Sequence, residues 1–270
     1  MVGIAENRGR ELLPKSCGPI VNKEENLRIE QTPIPGLLVI RVPVHLDSRG
    51  WFKENWQREK MVELGLPDFK PVQNNISFNT ESGVTRGFHA EPWEKLISVA
   101  AGKVFAAWVD LRDGPHFGKV FEALIDPTIA VFVPRGVANA YQTLEPNTSY
   151  SYLVNRHWNA SAQYTSINLF DPSLPVSWPI SRDKALISDK DKNNPNLSEI
   201  RPIANPKPFI FGASGQIGQA LAKEFSDAIT FSHEALDISR LDSLEQLPWQ
   251  DCNLILNAAA FTAVDAAETP

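Results

Sequence analysis

Between Gly36 and about Trp178, apolar and β-branched residues come in short runs of strand length, each closed by a turn residue. Residues 37–42, 96–100, 104–109, 129–133 and 149–154 are the clearest runs, and Gly102, Gly114, Gly118 and Pro134 punctuate them. Aromatic and β-branched enrichment at this length predicts strands. Many strands at close spacing with few helices predict a double-sheet antiparallel barrel of the jelly-roll type. One short helix is predicted around residues 58–64.

The pattern changes near Pro206. Pro208-Phe209-Ile210-Phe211 is a short apolar strand that runs into Gly212-Ala213-Ser214-Gly215-Gln216-Ile217-Gly218 and then an amphipathic helix to about Phe225. A strand near 228–231, a helix near 241–247 and a strand at 253–257 follow. Strand, glycine turn and helix predict a parallel sheet, and three such strands amount to half of a doubly wound one, so this unit reads as a truncated α/β module. The charged, Asn- and Pro-rich stretch 182–208 reads as a tail of the barrel leading into a linker. The expected organisation is an N-terminal extension (1–30), a barrel (31–200) and a partial α/β unit (201–270).

Charge and cysteine usage narrow the function classes. A formal net charge of -6 without a basic stripe points away from nucleic acid and from an anionic membrane surface. The N-terminus lacks the apolar core of a signal peptide, and no apolar run has the length to span a bilayer. Cys17 and Cys252 fall in different predicted units, so both read as free thiols, which fits a soluble protein of the reducing cytoplasm.

The candidate chemistry centres on Arg86-Gly87-Phe88-His89, followed by Lys95, Tyr152 and Lys190-Asp191. A histidine takes a proton near neutral pH, a lysine stabilises the resulting oxyanion, and a tyrosine on another strand returns a proton from the opposite face. Taken singly, each has a blander reading: a structural histidine, a strand-edge lysine, a core aromatic, a charged tail. A jelly roll can also hold a metal, through two histidines one residue apart with a later glutamate and histidine. Here Glu91 takes the second position, and His45, His116 and His157 lie on unrelated segments, so no metal is expected.

These motifs, with Val109-Asp110-Leu111-Arg112, Pro134-Arg135-Gly136-Val137-Ala138, Asp171-Pro172 and Ser188-Asp189-Lys190-Asp191, resemble the dTDP-4-dehydrorhamnose 3,5-epimerase family over about residues 32–195. The resemblance implies a cupin-like jelly roll, a homodimer whose barrels exchange N-terminal strands, and inversion at C3 and C5 of a dTDP-4-keto-6-deoxyhexose without a cofactor. It implies His89 as base, Tyr152 as acid, Asp191 as the partner of His89 and Lys95 beside the keto oxygen. Arg86 and Lys190 would hold substrate, and Arg49, Glu54, Gln73, Asn74 and Asn75 the nucleotide or its diphosphate. Asn139-Ala140 replaces the family's usual histidine and glycine, keeping a polar contact and losing a titratable one.

The glycine turn, with Leu236-Asp237-Ile238 and the run Asn257 to Asp265, is similar to the N-terminal part of dTDP-4-dehydrorhamnose reductase. That implies a Rossmann-type NADPH (or NADH) site for a complete reductase domain, lined by Gly212, Gly215, Gln216, Ile217, Gly218, Asp237, Ala258, Ala259 and Ala260. No tyrosine follows Tyr164, so no reductase activity is expected from this chain. A barrel that only binds nucleotide sugar, and an NADPH-dependent reductase as the main activity of the full-length protein, are the alternatives.

Overall fold

The structure, a computed structural model, describes residues 26–159, 162 and 164–260, so most of the predicted N-terminal extension and the end of the run at Asp265 lie outside the described residues. The described chain divides into two compact units, one built from residues up to 109 and 119–197, the other from 110–118 and 198 onward. Among the described residues, no helix is long and apolar enough to cross a membrane.

In the first unit the chain runs β1 (Arg28–Gln31), β2 (Leu38–Arg41), β3 (His45–Asp47), β4 (Gly50–Phe52), α1 (Arg58–Glu63), β5 (Gln73–Asn79), β6 (Val84–Ala90) and β7 (Lys95–Ala101). It continues through β8 (Val104–Asp110), β9 (Val120–Ile125), β10 (Ile129–Val133), β11 (Val137–Thr143), β12 (Thr148–Val154), β13 (Thr165–Ser166), β14 (Leu186–Ile187) and α2 (Asp189–Lys192). One sheet has the order β1-β2-β10-β7-β12-β5 and the other β13-β6-β11-β8-β9 with β14 beside β6, while β3 and β4 form a separate hairpin. The non-sequential order gives a double-sheet jelly roll.

Alternation along the strands sets the core. Val39, Ile97, Val99 and Val131 from the first sheet meet Val104, Ala106, Trp108 and Val137 from the second, all buried. Each large apolar side chain buried here contributes roughly 1.5–3 kcal/mol relative to exposure. The outer face of the first sheet is apolar too, because α1 and the loop after it cover it: Met61, Leu66 and Phe69 pack on Leu38, Ile40 and Phe132. Helix α1 starts where the Gln57 side chain accepts from the Lys60 N–H and ends before Gly65, whose φ of +100° breaks the helix.

Two features of this unit position the site. The first is a bulge between β6 and β11, where Asn139 pairs with His89 and Tyr141 with Arg86, so three residues of β11 span four of β6. Without it, Arg86 and His89 would point to opposite faces. With it, both face one cavity, while Phe88 turns the other way against Trp178. Gly87 makes the bulge fit: its φ is +118°, and a Cβ there would lie 2.5 Å from the Asn139 carbonyl oxygen.

The second feature corrects the expectation of a tail at 182–208. Leu186 and Ile187 pair in parallel with Val84 and Thr85 of β6. The Gln142 side chain donates to the Ile180 carbonyl and accepts from the Ile180 N–H, which ties the segment to β11. A polar stretch with little apolar periodicity is thus held by backbone pairing, which carries no composition signal. It delivers α2, with Ser188 as its N-cap, to the cavity rim.

The second unit contains β15 (Lys207–Phe211), α3 (Gln216–Glu224), β16 (Ile229–Phe231), α4 (Leu241–Glu245) and β17 (Cys252–Asn257). Its three strands are parallel, in the order β16-β15-β17. Phe209, Ile210 and Phe211 make the central strand apolar and buried. Helix α4 is shorter than the predicted 241–247, since a turn closes it at Gln246.

Candidate active site

A cavity of about 620 Å³ opens where the inter-sheet core ends at the stacked Tyr141 and Tyr150 rings, whose centroids are 4.0 Å apart. This is within the size range of small-molecule sites. The second sheet contributes Arg86, His89 and Asn139, the first contributes Lys95, Tyr150 and Tyr152, and α2 closes the rim with Lys190 and Asp191.

His89 Nε2 lies 2.7 Å from Asp191 Oδ1. Burial alone would raise the Asp191 carboxyl, but the hydrogen bond and charge of His89, with further bonds from Ser188 and the Gly87 backbone, outweigh it and hold the carboxyl below its usual value. A carboxylate accepts, so His89 Nε2 carries the hydrogen and Nδ1 is the basic nitrogen. The α2 cap positions the acid, as the Asp191 N–H donates to Ser188 Oγ at 3.1 Å.

Lys95 opens β7 and its side chain is buried. Its Nζ donates to Asn139 Oδ1 at 2.6 Å and forms an ion pair with the Glu91 carboxylate. Burial pushes the ammonium down from 10.5 to about 7. The Tyr152 ring centroid is 5.9 Å from that nitrogen. Burial first, then Tyr141 and Tyr164, raise the Tyr152 phenol above its ordinary value against an opposing effect of Arg86. A phenol so placed stays protonated and can donate. Arg86 is steadied from behind, where its Nε donates to Asn79 Oδ1 at 3.3 Å.

His89, Lys95, Tyr152 and Asp191, with Arg86, Asn139 and Lys190, are therefore brought together. Arg49, Glu54, Gln73, Asn74 and Asn75 do not line this cavity. Arg49 is exposed on the β3–β4 hairpin and pairs with Asp47 at 2.6 Å. Glu54 pairs with Lys60, Gln73 with Asn75, and Asn74 accepts from Ser151. In the second unit, Gly212 abuts Ala258 and Ala259, and Ala260 follows them. Gly215 caps α3, Gln216 and Ile217 are exposed in its first turn, and Gly218 packs against Gly212. The Asp237 carboxylate accepts from Ser239.

Sequence reasoning noted Glu91 only as standing where a metal site would need a second histidine, and passed over Tyr141, Tyr150 and the cap at Ser188. The missed signal for Glu91 was its spacing two residues after His89, which repeats the face of a strand. Among the described residues, no cluster of three or more His, Cys, Asp or Glu is placed to hold a metal ion.

The fold and site define a jelly roll of cupin type with a cavity between its sheets lined by histidine, lysine, tyrosine and carboxylate side chains. Residues 31–199 match the model of the dTDP-4-dehydrorhamnose 3,5-epimerase family, and the chain belongs to that family. Residues 207–270 match the model of the RmlD substrate binding domain. A relative named as an RmlC homolog, from Streptococcus pyogenes serotype M6, is 50% identical over 177 residues, covering 63% of this chain and 89% of the relative. The dTDP-4-dehydrorhamnose 3,5-epimerase of Mycobacterium tuberculosis is 28% identical over 183 residues, which is 65% of this chain and 90% of that protein. Among solved structures, RmlC from Streptococcus suis in complex with dTDP-D-xylose matches at 46% identity and a TM-score of 0.63, over 67% of this chain and 96% of that one. The Legionella pneumophila enzyme in complex with dTDP-4-keto-L-rhamnose matches at 30% identity and a TM-score of 0.59, over 65% of this chain and 95% of that one.

Proposed function

We propose that the first unit epimerises C3 and C5 of a dTDP-4-dehydro-6-deoxyhexose, with His89 as base and Tyr152 as acid. The observation that carries this reading is the origin of the two groups on facing sheets. Inversion needs a proton removed from one face of a carbon and returned to the other, and a base and an acid from opposite walls satisfy that requirement.

His89 Nδ1 takes the hydrogen α to the ketone, and the electron pair moves into an enolate. Asp191 stabilises the imidazolium that forms. The Lys95 ammonium faces the enolate oxygen, where fixed positive charge lowers the barrier most. Tyr152 protonates the carbon from the other face. The imidazolium proton and the phenolate are then reset through solvent, and a second round inverts the other carbon. Arg86 and Lys190 supply the positive charge that suits a sugar diphosphate.

Solvent deuterium tests this directly. In D2O, proton NMR is expected to show loss of the C3 and C5 signals as product forms. Epimerase assays with no deuterium uptake would overturn the reading.

We also propose that the barrel works as a homodimer. Strand β5 is a sheet edge with Ile76 and Phe78 exposed, the kind of surface that a second copy covers. Light scattering coupled to gel filtration should give twice the chain mass, and a monomer would refute it.

We infer for the second unit a Rossmann-type dinucleotide site. The chain passes from β15 to β16 on one side and to β17 on the other, which creates a crevice at the ends of the strands. The residues present fit a pyrophosphate: a Cβ at Gly215 would meet only the Gly212 carbonyl at 3.4 Å, and no side chain caps the N-terminus of α3. Gly215, Gln216 and Ile217 would hold the pyrophosphate of NADPH, which when bound supplies a hydride. Titration calorimetry with NADPH is expected to give one site, and no heat change would count against it.

A further inference from the structure

Lys95 is the cavity's electrophile, yet it is buried and begins with nothing in the sequence to keep it charged. A lysine taken out of water loses its proton unless an anion lies against it. Glu91 is that anion. It follows the end of β6, points to the same face as His89, and its carboxylate forms the ion pair with Lys95 Nζ, both side chains being largely buried at 13% and 5% exposure. We propose that Glu91 is a positioning residue for the epimerase, its carboxylate keeping the Lys95 ammonium charged and aimed into the cavity. The proposal rests on the epimerase reading given above.

Donor counting supports the aim. A lysine ammonium has three N–H groups. One goes to Asn139 Oδ1 at 2.6 Å, and with the Glu91 carboxylate paired against the same nitrogen a further N–H is left for a substrate oxygen. Asn139 fits this arrangement as a neutral acceptor, and its own amide reaches Tyr150 Oη at 3.5 Å.

The other groups around the cavity do not replace Glu91. From β6, Arg86 and His89 face it, from β11 Tyr141, from β12 Tyr150 and Tyr152, and from α2 Lys190 and Asp191. Arg86 and Lys190 are cationic and oppose a second positive charge. The Asp191 carboxylate is taken by His89, and the neighbouring Glu94 side chain accepts from Asn155 instead. Burial holds the Lys95 ammonium near 7 with Glu91 in place. A negative charge in contact favours the charged form, so removing the Glu91 carboxylate would move that balance further toward the neutral amine.

The test is NMR titration of protein carrying ¹³C-labelled lysine, alongside the pH profile of deuterium uptake, in wild type, Glu91→Gln and Glu91→Asp. In Glu91→Gln the Lys95 midpoint and the alkaline limb of kcat should both move to lower pH by about one unit or more, with kcat near pH 8 down by about ten-fold and KM changed far less. Glu91→Asp should fall between the two and partly restore the profile. Identical Lys95 midpoints in wild type and Glu91→Gln would overturn the proposal whatever the activity, and a lower kcat with an unmoved alkaline limb would do the same. A shifted midpoint in a wild type that takes up no deuterium would instead remove the epimerase reading, and the role assigned to Glu91 with it.

Discussion

Two groups of polar residues, one on the walls of the cavity and one on the β3–β4 hairpin and strand β5, use the same side-chain types to different effect. In the cavity, Asp191, Lys95 and Tyr152 each have a fixed partner or neighbour and a displaced proton affinity. On the hairpin, Asp47 and Arg49 also pair closely, but with Arg49 at 88% exposure their attraction is screened by water. A pair of charges becomes chemistry when the fold removes solvent from it. The difference predicts a gradient of mutational effects from the cavity to the hairpin.

The largest effect should come from His89→Ala, with deuterium uptake down by about 10³-fold or more and dTDP affinity by calorimetry preserved. Retained uptake would erase the contrast at its strongest point. Tyr152→Phe sharpens it: inversion should fall by about 10²–10³-fold, whereas proton abstraction, read as uptake without a change of configuration, should fall less. Equal losses would mean that the phenol also serves the first proton transfer.

Asp191→Asn should lower kcat by about 10²-fold, since an amide no longer stabilises the imidazolium. This position also has a pH signature. Because the folded carboxyl lies below its usual 3.8, its contribution to stability is complete above that value and declines as the pH falls through the lower folded value. Acid denaturation of Asp191→Asn should therefore lack that part of the decline. Arg49→Ala should do least, raising KM by at most a few-fold at constant kcat. A large fall in kcat for that variant would break the gradient from its other end.

Much of the fold was legible because period and punctuation are local properties. The predicted runs at 37–42, 96–100, 104–109, 129–133 and 149–154 correspond to β2, β7, β8, β10 and β12 within a residue or two. The strand–glycine–helix unit was equally plain, since Phe209-Ile210-Phe211 and the Gly212 turn are contiguous. What stayed hidden depends on distant partners. The stretch 182–208 read as a tail leading into a linker because the β6 edge that pairs with Leu186 and Ile187, and the Gln142 amide that holds Ile180 just before it, lie 38 or more positions away. In the site, the meeting of His89 with Asp191 came from resemblance, being separated by 102 positions. Glu91 was passed over because its partner identifies it: beside a solvated lysine it would be an ordinary surface acid. The exposure of Arg49 depends on a hairpin that leaves the sheets, which no local pattern marks.

The extra residue in β6 acts like a half-step in a staircase. Everything before Gly87 obeys one handing of sides and everything after it the other, so guanidinium and imidazole face one cavity although three positions separate them. Chain length in this stretch is therefore quantised in its consequences. Shortening it by one residue would leave the hydrophobicity profile almost untouched, yet it would exchange the inner and outer walls for all that precedes the cut, sending the Arg86 side chain out of the chamber and into the layer now filled by Gln142 and Ile180.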